Sequence, residues 1–165
     1  MRRQNGFTLV EILISTLIFG VIIGGILAVL KVADMSWHTD MGLLDLQQQL
    51  RMAVDGMSRE IRQTSHSRIL GITNGGSRVD FTLPGITNAV SYYLSNSQII
   101  REHPVGEMKV LASDTNILNF CCVGGAGCTD CGNAHVIQIT AQATKTVRNR
   151  PLSFSLKEQV RFRNE

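Results

Sequence analysis

A large excess of charge of one sign is missing from this sequence. Sixteen Lys and Arg stand against thirteen Asp and Glu in 165 residues, a formal net charge of +3. That balance gives no argument for a nucleic-acid partner, which needs a basic patch to neutralise phosphates. The basic residues are scattered, with clusters only at Arg2–Arg3 and Arg148–Arg150, and they read as solvated surface. Proline is scarce: three residues, none before Pro84. A nucleophile motif is missing too. His38, His66, His103 and His135 are dispersed, and Gly124-Gly-Ala-Gly127 lies between cysteines rather than between a strand and a helix with a phosphate-binding lysine. Asp114 and Asp130 are isolated acids. The expectation is a protein that is not an enzyme, with no metal site and no cofactor.

What is present is an apolar run. Ile12 to Leu30 holds no charged residue. As a helix it spans about 28 Å, enough for a hydrocarbon core. Arg2 and Arg3 precede it, so the positive-inside rule places the N-terminus in the cytoplasm and the rest outside. The run is too long for the apolar region of a secretory signal peptide, and no clear small-x-small cleavage site follows it. Gly20-Val-Ile-Ile-Gly24 gives a small-xxx-small spacing that lets helices approach closely. Trp37, just beyond the run, suits a membrane interface. Glu11 is the anomaly. A carboxylate at the head of a membrane span is costly and calls for a partner, yet Lys31 stands at the far end of the stretch.

Gly6-Phe7-Thr8-Leu9-Val10-Glu11, behind a basic leader and ahead of the apolar run, resembles the processing motif of type IV prepilins and type II secretion pseudopilins. The resemblance implies a leader of residues 1–6, cleavage between Gly6 and Phe7 by a prepilin peptidase, and N-methylation of the new amine at Phe7. It also assigns Glu11 a role in assembly. In the family this carboxylate is thought to meet the N-terminal amine of a neighbouring subunit, and such attraction grows as the dielectric falls. The implied partners are the peptidase, the membrane, and other pilins or pseudopilins packed along the N-terminal helix. Major pilins often carry a proline near the position of Ala28, so its replacement here points to a minor subunit. The stretch from Tyr92 to Glu102, then Val110-Leu111 and Ile117–Phe120, is similar in texture to J-type minor pseudopilins and W-type minor pilins.

The remaining sequence completes an α+β fold class. Leu43, Leu46, Leu50, Val54, Met57 and Ile61 recur at three- and four-residue steps, so the helix is expected to run over 7–63, with 7–30 in the membrane and an amphipathic second half. Met35, Met41, Met52 and Met57 read as core or stripe residues. From Thr64 the period changes. Arg78–Leu83, Val90–Leu94, Gln98–Glu102, Val136–Thr140, Ser153–Leu156 and Gln159–Arg163 read as strands, and Ser95-Asn-Ser97 as a hairpin turn. Residues 64–165 should form an antiparallel β-sheet head carrying a cysteine-rich loop, 121–131.

Cys121, Cys122, Cys128 and Cys131 admit three readings. Two cross-loop disulfides suit an extracytoplasmic compartment, here the periplasm, with the pairing open. Zinc is the second, since Cys128-x2-Cys131 has ligand spacing and His135 follows. A redox-active pair is the third, without the usual strand–helix context. Two functions compete. One is a minor pilin or pseudopilin that initiates, caps or modifies a filament. The other is a single-span inner-membrane protein whose extracytoplasmic domain binds a ligand and joins no filament.

Overall fold

A computed structural model describes residues 8–124, 127–132 and 134–162. They form one long helix and eight strands, in two compact units, Met1–Asp40 and Met41–Glu165. The helix α1 runs Leu9–Gln63.

Within the second unit the strands are β1 (Ile69–Thr73), β2 (Arg78–Thr82), β3 (Ala89–Ser95), β4 (Gln98–Glu102), β5 (Met108–Ala112), β6 (Thr115–Val123), β7 (Val136–Val147) and β8 (Arg150–Arg161). They build two antiparallel sheets where the sequence suggests one: a five-stranded sheet in the order β1-β2-β3-β4-β5 and a three-stranded sheet in the order β6-β7-β8. Within each sheet, strands that follow one another in sequence pair with one another. Two hairpins close through two-residue turns. Asn96 (φ 50°) and Ser97 (φ 58°) join Ser95 to its partner Gln98, and Arg148 (φ 47°) and Asn149 (φ 63°) join Val147 to Arg150. Positive φ at both central residues matches the right-handed twist of the flanking strands. Arg148 thus serves a turn as well as adding charge. Ser153–Leu156 and Gln159–Arg163, which read as separate strands, fall together on the continuous β8, which ends at Arg161; Arg163 lies outside the described residues.

The core forms where the two sheets meet the second half of α1. Leu46, Leu50, Val54, Met57 and Ile61 are all buried, and each contributes roughly 1.5–3 kcal/mol by leaving water. The sheets supply Val79, Phe81, Val90, Tyr92, Phe120 and Ile139, alternating along their strands with half-exposed or exposed neighbours except at Ser91, which is itself buried between Val90 and Tyr92. Of the four methionines that read as core or stripe, Met57 is buried, whereas Met41 and Met52 are exposed.

Polar contacts fix the helix against both sheets. Lys145 Nζ of β7 lies 3.2 Å from Asp45 Oδ2, and Arg62 Nη2 lies 3.4 Å from Glu158 Oε1 of β8. The Tyr92 hydroxyl of β3 donates to Glu60 Oε2 at 2.8 Å, and Arg101 Nε of β4 donates to Glu60 Oε1 at 3.0 Å. Two glycines are required by close approach. A Cβ at Gly42 would stand 2.9 Å from Val147 Cγ2, and at Gly76 (φ 100°) it would run into Asn119 Oδ1. Gly42 is where the end of β7 and Leu152 of β8 pack on the helix.

Candidate functional site

The first turn of α1 holds the residues that the sequence singles out. Thr8 precedes the first helical residue, and its Oγ1 accepts a hydrogen bond from the Glu11 backbone N–H at 3.3 Å. The Thr8 carbonyl accepts from the N–H groups of Glu11 (3.1 Å) and Ile12 (3.3 Å). Thr8 is therefore the N-cap and Glu11 the third helical residue, the Thr-x-x-Glu spacing of a capping box. The Glu11 carboxylate also stands where the unpaired N–H groups of the helix favour negative charge. Sequence reading missed Thr8, although the Thr-x-x-Glu signal was available. Gly6 and Phe7, the residues of the expected cleavage, lie outside the described residues.

Beyond the cap the helix is apolar and open. Every large apolar side chain from Leu9 to Val32 is exposed, between 41% at Ile23 and 80% at Leu9. An 18-residue window of α1 is long and apolar enough to cross a membrane, and none of that window is buried. The polar groups inside it are satisfied locally: Ser15 Oγ donates to the Glu11 carbonyl at 2.7 Å and Thr16 Oγ1 to the Leu13 carbonyl at 2.9 Å. Such bonds remove the cost of a bare hydroxyl in lipid. Gly20 and Gly24 face open space, with nothing within 4 Å of a Cβ placed there. At about 100° per residue they lie on the side of the helix away from Glu11. The structure does not bring them together with the carboxylate, so helix packing at the glycines and charge pairing at Glu11 would use different neighbours.

In the second unit, Glu60, Tyr92 and Arg101 form a polar cluster that links α1 to the five-stranded sheet. Burial first, and then the Glu60 carboxylate, push the Tyr92 hydroxyl well above its ordinary value, so it stays a donor. The cluster positions the helix and holds no nucleophile. The cysteines are bonded as Cys121–Cys128 and Cys122–Cys131, with Cα separations of 4.2 and 5.2 Å. Cys121 and Cys122 are consecutive on β6, so their side chains leave opposite faces of the strand and tie the loop from both sides. These bonds occupy the thiolates that a zinc site would need, and they join Cys128 and Cys131 to different partners rather than to each other. Among the described residues, no group of three or more His, Cys, Asp or Glu could hold a metal ion.

Comparison with known proteins bears on the first turn. The prokaryotic N-terminal methylation motif matches residues 1–27. That motif is the prepilin peptidase signal characteristic of type IV prepilins and pseudopilins. No curated protein matches the chain.

Proposed function

We propose that this chain, which carries the type IV prepilin and pseudopilin signal, is a minor pilin or pseudopilin that initiates, caps or modifies a filament. The observation that carries the reading is the continuity of the methylation motif with a helix that is capped at Thr8 and whose large apolar side chains are exposed from Leu9 to Val32. An exposed apolar stretch of this length needs lipid before assembly and packed helices afterwards. In this reading residues 1–6 are a leader, the peptidase cuts between Gly6 and Phe7, and the Phe7 amine is methylated. The helix then holds the subunit in the inner membrane as a single pass, with the head in the periplasm. Assembly moves Glu11 from a lipid boundary to the amine of a neighbouring subunit, which neutralises both charges where the dielectric is low. The minor role rests on the uninterrupted helix at Ala28 and on the likeness of the head sequence to J-type and W-type subunits.

Intact mass and N-terminal sequencing of the protein from membranes of its native host test this. A chain that begins at methylated Phe7 is the expected result. A chain that still begins at Met1 would overturn it and leave a membrane-anchored binding domain as the better account.

A further inference from the structure

The strand β6 sends its two disulfides into different surroundings. Successive side chains of a strand leave opposite faces, so the consecutive Cys121 and Cys122 carry their bonds to opposite sides of the three-stranded sheet. Cys122 stands opposite the buried Ile137 of β7 and joins the core together with Cys131; the two are 3% and 7% exposed. Cys121 stands opposite Gln138, which in turn pairs with Gln159 of β8. Gln138 is half-exposed and Gln159 exposed, so this is the solvent face of the sheet. Cys121 is half-buried there, and its partner Cys128 lies in an exposed run, Gly127–Asp130. One bond is in the core and the other is at the surface.

The loop does not depend on the surface bond alone. The Cys122 N–H donates to the Cys128 carbonyl at 2.9 Å, and the Ala134 N–H donates to the Cys131 carbonyl at 3.2 Å. Ala134 is fully buried. With Cys121–Cys128 open, Cys122–Cys131 would still close the loop from within the core. The freed thiols would lie across the strand from the buried bond, out of reach of its sulfurs. Exchange requires a thiolate to reach a sulfur, so access separates the two bonds.

We propose that Cys121–Cys128 is a thiol–disulfide exchange site, opened and closed by a protein dithiol of the Cys-x-x-Cys class while Cys122–Cys131 stays closed. The chain is the substrate of this exchange and not its catalyst. One thiolate of the partner attacks the exposed Cys128 Sγ and forms a mixed disulfide. The bond to Cys121 breaks, and Cys121 leaves as a thiolate that takes up a proton. The partner's second thiolate attacks its own sulfur in the mixed disulfide, and Cys128 leaves in the same way. Two electrons pass to the head, and the partner's pair becomes a disulfide. The same steps in reverse close the bond from an oxidised partner. Opening loosens the end of the loop at Cys128 and spares the core. The proposal concerns the head alone and stands whether or not residues 1–6 are removed.

The full-length chain in detergent micelles, mixed with reduced thioredoxin and quenched over time with N-ethylmaleimide, tests it by peptide mapping. Label should appear on Cys121 and Cys128 roughly tenfold or more faster than on Cys122 and Cys131, because exchange follows access. Tyrosine near-ultraviolet dichroism should hold at that stage. Thioredoxin lacking its second cysteine should be trapped on Cys128. Labelling of all four cysteines together, or of the buried pair first, overturns the proposal. So does loss of dichroism with the first label, a trap on Cys121, or no reaction with thioredoxin.

Discussion

Glu11 has two duties in the first turn of α1, and substitution can separate them. As the third helical residue it favours the helix start; as a charge it is proposed to meet a neighbouring amine. Glu11→Gln keeps the size and hydrogen-bonding capacity but removes the charge. We expect it to be cut by the peptidase as usual and to be lost from the sheared filament fraction, with immunoblots of the membrane and filament fractions as the check. Thr8→Ala removes the hydroxyl that accepts the Glu11 N–H, at a cost of about 1 kcal/mol to the helix start. It should be cleaved and still be incorporated. Equal loss from both substitutions would assign Glu11 to capping alone. Tyr92 offers a second test at this scale. Burial and the Glu60 carboxylate hold its pKa above the ordinary value near 10. Unfolded, the hydroxyl ionises near pH 10; folded, it keeps its proton to higher pH. Above pH 10 the folded state therefore binds more protons, and its stability falls as pH rises. Tyr92→Phe should flatten this alkaline loss. At neutral pH it should cost about 1.5–3 kcal/mol, because Glu60 loses a donor. Urea titrations at about pH 8 and about pH 11 would show it, and parallel pH curves for the two proteins would contradict it.

At the scale of elements, the long helix and most strands were legible because their side-chain periods are clean. The stripe from Leu46 to Ile61 repeats at helical spacing and is buried as that spacing requires. Gln98–Glu102 and the Ser95–Ser97 turn were legible for the same local reasons. Other elements had no local signal. Ile69–Thr73 contains Gly71 and a bulge, so alternation fails there. The strand β5 is a five-residue edge with Met108, Lys109 and Val110 all exposed and a bulge at Leu111, too short and too irregular for a buried face to show as a period. The division into two sheets depends on which strands pair, which no window of sequence contains. In the first turn, Glu11 stood out by its cost in lipid, whereas Thr8 is ordinary in composition and gains meaning only from its distance to Glu11. The cysteine loop was legible as a cross-link but not as a pairing. The observed pairs close short loops, with sequence separations of 7 and 9, and each should contribute about 2–3 kcal/mol by restricting the unfolded chain. The two bonds differ in what surrounds them. Cys122 and Cys131 are buried, whereas Cys128 is exposed. Replacing Cys122 and Cys131 together by Ala should therefore destabilise the head more than replacing Cys121 and Cys128, since it also removes packed atoms. Thermal melts of the two double variants test the order, and the reverse order would refute it.

For the whole molecule, the two compact units differ in what stabilises them. None of the described helix residues of the first unit is fully buried, and their large apolar side chains are exposed from Leu9 to Val32. Their stability must come from lipid, detergent or other helices, where backbone hydrogen bonds inside the helix are strongly favoured. The second unit has its own core, two sheets and two disulfides. Denaturant weakens aqueous hydrophobic burial, so it acts on the second unit directly. It has less purchase on a helix inside a micelle. The chain should therefore not unfold as a two-state system. The sequence supplies a separate probe for each unit: the single Trp is Trp37, in the first, and both tyrosines, Tyr92 and Tyr93, are in the second. As urea rises in detergent solution, tyrosine near-ultraviolet dichroism should be lost in one cooperative step. Trp37 fluorescence should change little over the same range, and far-ultraviolet helix signal should fall only by the part of α1 that belongs to the head. Coincident transitions of all three signals would mean that the helix depends on the head for its stability, and the account of the first unit as a membrane and assembly element would lose its physical basis.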